Sequence, residues 1–209
     1  MTPDELVIFR SAHNDAHGSL LEYSDGLESA PTDRESENHA ADALAEALFL
    51  RAFTAYEAAL ETLFFHYVTG GVSLQGASAP SRLRACEVPI ARAIVKGGNK
   101  FLSWAKPSAI RDLVTTYIDN GWPIIDMLAT KADELADCER LRNRIAHRSP
   151  EADQQFKVVQ RNLLGTERLF SITPGQLLRA RHRKHKVLVL RRYLDVMGET
   201  ILAITDPPA

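Results

Sequence analysis

The sequence predicts an all-α protein, and three features of its 209 residues carry that prediction. Residues 2 to 5, read Thr-Pro-Asp-Glu, combine a helix N-cap, a proline at the first helical position and a glutamate three residues after the cap. Residues 38 to 68 are rich in Ala and Leu and contain neither Gly nor Pro. Towards the end of the chain, apolar residues recur at alternating steps of three and four, as on one face of a helix: Val187, Leu190, Leu194, Met197, Ile201 and Ile204.

The first half of the chain is expected to hold one short and one very long helix. The first helix begins at Thr2 and should fade near Gly18, because glycine weakens a helix interior. A polar connection containing Pro and Ser follows up to about Glu37 and is the expected flexible loop. The long helix over residues 38 to 68 should stop at Gly70-Gly71. Its apolar residues cover much of its circumference, which favours a central position: Leu44, Leu48, Phe53, Leu60, Leu63 and Phe64.

Shorter helices are expected in the second half of the chain, near residues 81–95, 107–118 and 123–146. A break at Gly97-Gly98 separates the first two, and Ser149-Pro150 repeats the cap-then-proline pattern for a further helix. The sequence carries no hairpin signal, internal repeat or Gly-rich phosphate loop. Residues 1–209 are therefore expected to form a single all-helical domain, with 1–37 as an N-terminal helix and flexible connection.

The composition argues against several classes of protein. No apolar run approaches the about 20 residues that span a bilayer, and the first residues are acidic where a secretory signal is basic. A cytoplasmic protein with no membrane partner is expected. The two cysteines, Cys86 and Cys138, lack zinc-type spacing and are expected to be small buried side chains. His13 and His17 share a helix face, but no further ligands for zinc can be identified, so neither metal nor cofactor is expected.

The charge is distributed unevenly although the net charge is only −2. Residues 140 to 192 hold fourteen Lys and Arg against three Asp and Glu, whereas the residues before 140 hold eleven against twenty-one. A segregated basic surface suits a nucleic-acid binder, because each neutralised phosphate releases a counterion. The alternative is a solvated face, or one that pairs with the acidic half of the same chain. The dense run 179–186, with His182 and His185, should repel metal ions and indicates a polyanion contact or solvated charge.

Residues 142 to 147, read Arg-Asn-Arg-Ile-Ala-His, are the candidate functional site. They place a permanently charged phosphate ligand, an amide and a side chain that titrates near neutral pH within two helical turns. On a regular helix Asn143 and His147 share a face, whereas Arg142 and His147 differ by about 140°. Either the helix loosens ahead of Pro150, or a second subunit completes the site.

With these residues the chain resembles the HEPN superfamily, helical domains whose nuclease members carry Arg, a polar residue that is often Asn, and a His a few positions later. The match falls at Arg142, Asn143, Ala146 and His147. The resemblance extends over about residues 38 to 205, but only the hexapeptide is distinctive. It implies a HEPN-like helical bundle with a long central early helix and a long C-terminal helix.

The resemblance also implies an activity. HEPN nucleases are metal-independent endoribonucleases that form homodimers with both motifs facing a shared cleft, and they leave 2′,3′-cyclic phosphate and 5′-hydroxyl ends. Arg142 would grip the phosphate, His147 would act as base or acid, and Asn143 would orient the histidine or the phosphate. Arg144 and Arg148 would add substrate-binding charge. Such proteins serve as toxins or phage-defence effectors, some with a neutralising partner protein.

Other positions of the resemblance leave alternatives open. The segment from Arg51 to Glu61 looks like the early helix of the fold with its inward glutamate at Glu57, which either supports the motif or is a buried partner of an arginine. In HEPN toxins whose partner modifies a tyrosine two residues past the histidine, that position differs, since Ser149 stands here; that mode of control is not carried over. The chain could also be a non-catalytic HEPN-like module that binds nucleotide, RNA or a partner protein. A third reading makes it a helical interaction protein in which His147 merely caps its helix.

Overall fold

A computed structural model of the chain describes residues 1–29, 35–98, 102–165 and 172–207. The described residues form nine α-helices and three isolated β-bridges, with no longer strand among them, so the prediction of an all-α helical bundle is confirmed. The helices are α1 (Pro3–Ser29), α2 (Glu35–Val68), α3 (Val88–Lys96), α4 (Pro107–Tyr117), α5 (Ile124–Thr130), α6 (Ala132–Ala146), α7 (Pro150–Leu164), α8 (Pro174–Arg179) and α9 (Val189–Thr205). Within these ranges no helix has both the length and the apolar character needed to cross a bilayer.

Helix α1 begins as predicted but ends much later. The Thr2 hydroxyl accepts from the Glu5 N–H at 3.2 Å while the Thr2 N–H donates to the Glu5 carboxylate at 2.7 Å, which completes a capping box. The expected end near Gly18 is wrong, because the helix continues to Ser29. Buried side chains recur at helical spacing beyond the glycine: Leu20, Ser24 and Leu27. Burying this stripe outweighs the about 1 kcal/mol that a helical glycine costs. The expected flexible connection is thus wrong at both ends, because α1 continues to Ser29 and α2 already begins at Glu35. Residues 30–34 lie outside the described residues.

Helix α2 ends where the sequence predicts and begins at Glu35, three residues earlier than expected. The Gly71 N–H donates to the His66 carbonyl at 2.8 Å, and the Gly70 N–H donates to the Tyr67 carbonyl at 3.0 Å. Gly70 has a φ of +92°, so the glycine pair ends the helix in a Schellman motif. Five of its six expected core residues are buried, whereas Leu44 is 47% exposed.

The helix predicted over residues 81–95 begins only at Val88. The preceding backbone is occupied in another way, because Ser81 forms an antiparallel bridge with Ile118 and the Arg82 N–H donates to the Tyr117 carbonyl at 3.0 Å. Helix α4 and the break at Gly97 occur where they are predicted.

Three further helices differ from their predicted form. The helix expected over residues 123–146 is divided into α5 and α6 by Lys131, whose φ of −126° interrupts the helix without a Gly or Pro. Helix α8 was not predicted, although Thr173 and Gln176 form a full capping box at its start. Helix α9 begins at Val189 and buries a broader face than the single predicted stripe, including Tyr193 and Val196.

Backbone proximity divides the chain into two compact units. The first unit comprises Met1–Asp15, Ala55–Ala132 and Gly198–Ala209, and the second comprises Ala16–Thr54 and Asp133–Met197. Neither unit is one continuous stretch of chain, because α1, α2 and α9 each contribute residues to both.

The first unit has an aromatic core around the end of α2. The rings of Phe64 and Trp104 lie 5.3 Å apart, and the Tyr67 hydroxyl donates to the Ile204 carbonyl at 2.6 Å. His66 is buried beside them, and its Nε2–H donates to the Val72 carbonyl at 2.8 Å. Burial lowers the pKa of His66 below the usual histidine value. A Cβ atom on Gly71 would lie 2.2 Å from the His66 ring, so only glycine fits against this imidazole.

The second unit has its own core and contains the candidate site. Phe49 of α2 packs against Phe53 and Tyr193, with ring centroids 6.1 Å and 6.2 Å away. A largely buried ion pair joins Arg179 to Asp42 at 2.9 Å. These contacts anchor α2, α8 and α9 within the unit that also holds α6 and α7.

Candidate functional site

The hexapeptide forms the end of helix α6 and lies in the second unit. The His147 N–H donates to the Asn143 carbonyl at 2.8 Å, so helical hydrogen bonding persists one residue beyond Ala146. Helix α6 ends at Ala146 and residues 147 to 149 are not helical, but this hydrogen bond keeps the His147 backbone in helical register. Five helical positions of about 100° each leave Arg142 and His147 about 140° apart around the axis. A single chain presents these two residues on different faces.

Three residues, His147 to Ser149, connect α6 to α7. Ser149 is extended, with φ −89° and ψ 156°, and its hydroxyl accepts from the Ala152 N–H at 3.2 Å. Its carbonyl also accepts from the Asp153 N–H at 3.1 Å, so the predicted cap-then-proline start of α7 is confirmed. The backbone of His147 is consequently held between the end of α6 and the start of α7.

The polar side chains of the hexapeptide have distinct environments. Arg142 is partly buried, and its Nη1–H donates to the Asn143 side-chain oxygen at 3.3 Å. His147 and Arg148 are exposed to solvent. Arg144 is only 26% exposed and places its Nε 3.5 Å from the Asp153 carboxylate, in the first turn of α7. The geometry thus brings Arg142 to Asn143, directs Arg144 towards the protein, and leaves His147 and Arg148 open to a ligand.

A line of polar contacts, here called the polar ladder, fastens α6 to α7. Its three pairs are Asp137 with Asn162 at 3.1 and 3.2 Å, Arg140 with Gln155 at 3.3 Å, and Arg144 with Asp153 at 3.5 Å. As the position on α6 advances, the partner on α7 recedes, which is the order of an antiparallel helical hairpin. The ladder fixes the orientation of α6 relative to α7. It thereby sets where the last turn of α6, and His147 after it, lies.

The most deeply buried group of the ladder is the Asp137 carboxylate, which the sequence analysis missed. Asp137 is 5% exposed, accepts two hydrogen bonds from Asn162, and accepts one from Arg140 at 2.8 Å. Burial raises the pKa of Asp137, and the hydrogen bonds from Asn162 and Arg140 act in the opposite direction. In the sequence, Asp137 lies between the apolar residues Leu135 and Leu141, which are both buried in α6. That spacing does not identify Asn162 as its partner.

Two further groups of the second unit are buried near this carboxylate. Burial raises the pKa of the Cys138 thiol, and the nearby Asp137 and Glu134 charges add to that effect. The Tyr193 hydroxyl is also fully enclosed, with no hydrogen-bond partner among the residues described, and burial raises its pKa as well. Cys138 is buried as predicted, whereas Cys86 is only partly buried. Both side chains are fully buried, so they belong to the core of the second unit.

Glu57, the predicted supporting residue, lies on the part of α2 that belongs to the first unit and is partly buried. Residues 142 to 147 belong to the second unit. The supporting role of Glu57 accordingly stays a prediction.

The basic segment is extensively neutralised by acids of the same chain. At least seven of its fourteen Lys and Arg form ion pairs: Arg140, Arg144, Lys157, Arg179, Arg181, Arg191 and Arg192. Most of their partners lie outside residues 140 to 192, for example Asp42, Glu28 and Glu134. Pairing within the chain thus accounts for half of the segment, and the surface available to a polyanion is narrower than the sequence suggests.

Across the described ranges, no group of three or more His, Cys, Asp or Glu side chains could hold a metal ion. Comparison of the chain with protein families, curated proteins and solved structures gave no match. The resemblance of residues 142 to 147 to the HEPN motif therefore stays a prediction, and the site must be judged by its geometry.

Proposed function

We propose that the chain is a metal-independent endoribonuclease whose site is built from Arg142, Asn143 and His147. The observation that carries the proposal is the exposure of His147 at a fixed backbone position. Its N–H is bound by Asn143, and the Ser149 cap holds the chain two residues later. A general base or acid must meet its substrate from a defined position, and this arrangement supports that requirement.

The chemistry of the proposed reaction needs only RNA. The 2′-hydroxyl oxygen attacks the adjacent phosphorus while its proton passes to a base, and the bond from phosphorus to the 5′-oxygen breaks as that oxygen takes a proton from an acid. The products are a 2′,3′-cyclic phosphate and a 5′-hydroxyl. His147 is the proposed base or acid. Arg142 would bind two phosphate oxygens, with its orientation supported by the contact to Asn143.

A homodimer is part of the same proposal. Because Arg142 and His147 diverge by about 140° around α6, each chain is expected to supply half of the site. Two copies related by a two-fold axis would bring two histidines to one RNA, one as base and one as acid. Arg148, which is exposed beside His147, would add positive charge to that cleft. The role of Arg144 in substrate binding has less support, because Arg144 is directed at Asp153.

The decisive experiment is cleavage of a 5′-fluorescein single-stranded RNA by the purified protein in EDTA. His147→Ala and Arg142→Ala should each reduce the rate by about 10²-fold or more, the usual contribution of a general acid–base group or an oxyanion donor. His39→Ala is the matched control, because His39 is also an exposed histidine near a helix end. Placing a 2′-deoxy sugar at the cleaved position should abolish cutting.

Several results would count against this proposal. Cleavage that EDTA abolishes and magnesium restores would exclude the metal-independent mechanism, and wild-type rates for His147→Ala would exclude the site. If sedimentation analysis shows that the protein cutting RNA is a monomer, the shared cleft is excluded. A wild-type protein that binds RNA without cutting it would instead be the non-catalytic module.

In the cell, the proposed nuclease would act as a toxin or phage-defence effector. Expression of the wild-type chain should then arrest cell growth, and expression of His147→Ala should not. Relief of that arrest by a co-expressed partner protein is the measurement that would reveal a neutralising partner.

A further inference from the structure

A second basic feature, here called the basic hairpin, comprises residues 181–188 between α8 and α9. Arg181 and Leu188 form an antiparallel bridge. Inside it the His182 N–H donates to the Val187 carbonyl at 2.7 Å, and the Lys186 N–H donates to the His182 carbonyl at 2.8 Å. Lys186 adopts a left-handed conformation with φ +63° to close the turn. The segment is therefore a defined turn in which backbone hydrogen bonds fix the course of the main chain.

The imidazole of His182 holds the tip of the basic hairpin together. Its Nδ1 accepts from the N–H groups of Lys184 and His185, at 3.2 and 3.3 Å. The Arg181 guanidinium donates to the Lys186 carbonyl at 2.9 Å. Burial and the neighbouring His185 lower the pKa of His182, in keeping with a neutral ring that accepts at Nδ1. These hydrogen bonds leave the cationic side chains at the tip in contact with solvent.

The charges of the basic hairpin and its surroundings fall into two groups. The flanking arginines are paired with carboxylates: Arg179 with Asp42, Arg181 with Glu28, Arg191 with Asp25, and Arg192 with Glu134. The Glu134 charge acts on His182, and Arg192 binds Glu134 bidentately at 2.7 and 3.0 Å. At the tip, Arg183, Lys184 and Lys186 are all exposed within four residues of chain. The pairing elsewhere makes this tip the most concentrated exposed positive charge in residues 172–192.

The tip lies at the far end of α7 from the hexapeptide. A Cβ atom on Gly165 would lie 2.3 Å from an Arg183 guanidinium nitrogen, so Arg183 covers the residue that ends α7. His147 lies two residues before Ser149, which caps the other end of α7. The 15 residues of α7 span about 22 Å. Both basic features belong to the second unit, and α7 sets their separation.

We infer that the basic hairpin is a second contact for the RNA backbone, about 20 Å from His147, in which Arg183, Lys184 and Lys186 bind phosphates. The identity of the ligand rests on the proposed function. One strand of a duplex rises about 3.4 Å per phosphate, so the separation corresponds to about six phosphates of a strand stacked to that extent. The contact reads no sequence, because side chains that bind phosphate position the strand without touching the bases.

The test measures binding of a 5′-fluorescein 12-nucleotide oligouridine by fluorescence anisotropy, with His147→Ala as the parent protein so that the RNA stays intact. The variant adds Arg183→Gln, Lys184→Gln and Lys186→Gln. For three single-strand phosphate contacts, the slope of log affinity against log salt should become shallower by about 2. The ratio of parent to variant affinity should therefore fall about 20-fold between 50 and 200 mM KCl.

The matched control adds Lys96→Gln, Lys106→Gln and Arg111→Gln to the same parent protein. These three cations are exposed in the first unit, so the control changes the net charge by the same amount. Its salt slope should stay close to that of the parent. A second variant carries Arg183→Lys, Lys184→Arg and Lys186→Arg in the same parent protein. It keeps the positive charge and should bind the RNA as the parent does. Thermal unfolding of each protein verifies that it is folded.

The inference is overturned if the hairpin variant loses no more affinity than the control, or if the parent does not bind the oligouridine at all. The charge-retaining exchange overturns it too if that protein binds as weakly as the glutamine variant. These outcomes are separate from the fate of the proposed function. Hairpin-dependent binding by a chain that never cuts RNA would refute only the nuclease, and cutting by a chain whose hairpin variant binds normally would refute only the second contact.

Discussion

Asn162→Ala is predicted to destabilise the protein by about 1 to 2.5 kcal/mol at neutral pH. Asn162 supplies both hydrogen bonds that α7 makes to the buried carboxylate of Asp137. Hydrogen bonds to a charged group contribute about 1.5–3 kcal/mol, and alanine recovers about 0.5 kcal/mol of helix propensity. For a chain of this size the melting temperature should fall by about 2 to 10 °C.

The loss of stability should depend on pH because Asn162 stabilises the ionised form of Asp137. Without Asn162 the pKa of Asp137, already raised by burial, rises further. The variant's native state then holds its proton more firmly than the wild-type native state. Its stability relative to wild type therefore improves as the pH falls through these two pKa values. The difference is greatest at neutral pH and smallest where Asp137 is protonated in both proteins.

The assay is urea unfolding followed by circular dichroism, at several pH values from 7 down to 3.5. Gln154→Ala is the matched control, because Gln154 is exposed on the same helix and its replacement should change stability by less than about 0.5 kcal/mol. Equal effects of the two substitutions at pH 7 would refute the role of Asn162 in the polar ladder. A loss that stays constant over the whole pH range would refute its dependence on the Asp137 charge.

Three other predictions concern stability. Gly71→Ala should destabilise the chain by about 1 to 3 kcal/mol, since the new Cβ would overlap the buried His66 ring. In a His66→Ala background most of that cost should vanish, and a double-mutant cycle measures the coupling. Gly18→Ala should stabilise α1 by about 0.5–1 kcal/mol because nothing lies within 4 Å, whereas Gly76→Ala should destabilise because Gly76 has φ +81°; opposite shifts in thermal unfolding check this pair. Burial lowers the pKa of His66, so the unfolded chain binds its proton more tightly, and stability should decline as the pH falls below about 6.5; urea midpoints of His66→Ala should lack this part of the decline.

The sequence predicted the features that depend on a few neighbouring residues. The caps at Thr2 and Ser149 and the glycine stop at Gly70-Gly71 each need only residues within one or two turns, and all three occur. Helix type is likewise local when a long segment lacks Gly and Pro, as α2 does.

Most errors in the fold have no cause in the adjacent residues, although α8 was missed despite its local capping box. Gly18 does not end α1 because residues later in the helix are buried, and Lys131 divides two helices without a local breaker. The segment before Val88 is not helical because its backbone bonds to residues some 35 positions later, at Tyr117 and Ile118. Local propensity carries no information about such partners.

The candidate site divides in the same way. The position of residues 142 to 147 at a helix end followed from Ser149-Pro150, and the structure agrees. The polar ladder did not follow, because Asp137 and Asn162 are 25 residues apart and nothing in either residue names the other. For the same reason, the sequence could not show which basic residues pair with acids more than 100 residues away, as Arg179 does.

The connection from His147 to Ser149 is anchored at both ends, by the Asn143 carbonyl on one side and by the Ser149 cap on the other. One extra residue before His147 would turn its side chain by about 100° around the axis of α6. One extra residue after it would separate the cap from α7. The exposed side chain at Arg148 takes no part in holding this connection, whose length the two anchors set. Peptide tags and loop grafts therefore belong elsewhere in the chain, and any other protein that uses this geometry must keep the same count of residues between its two helices.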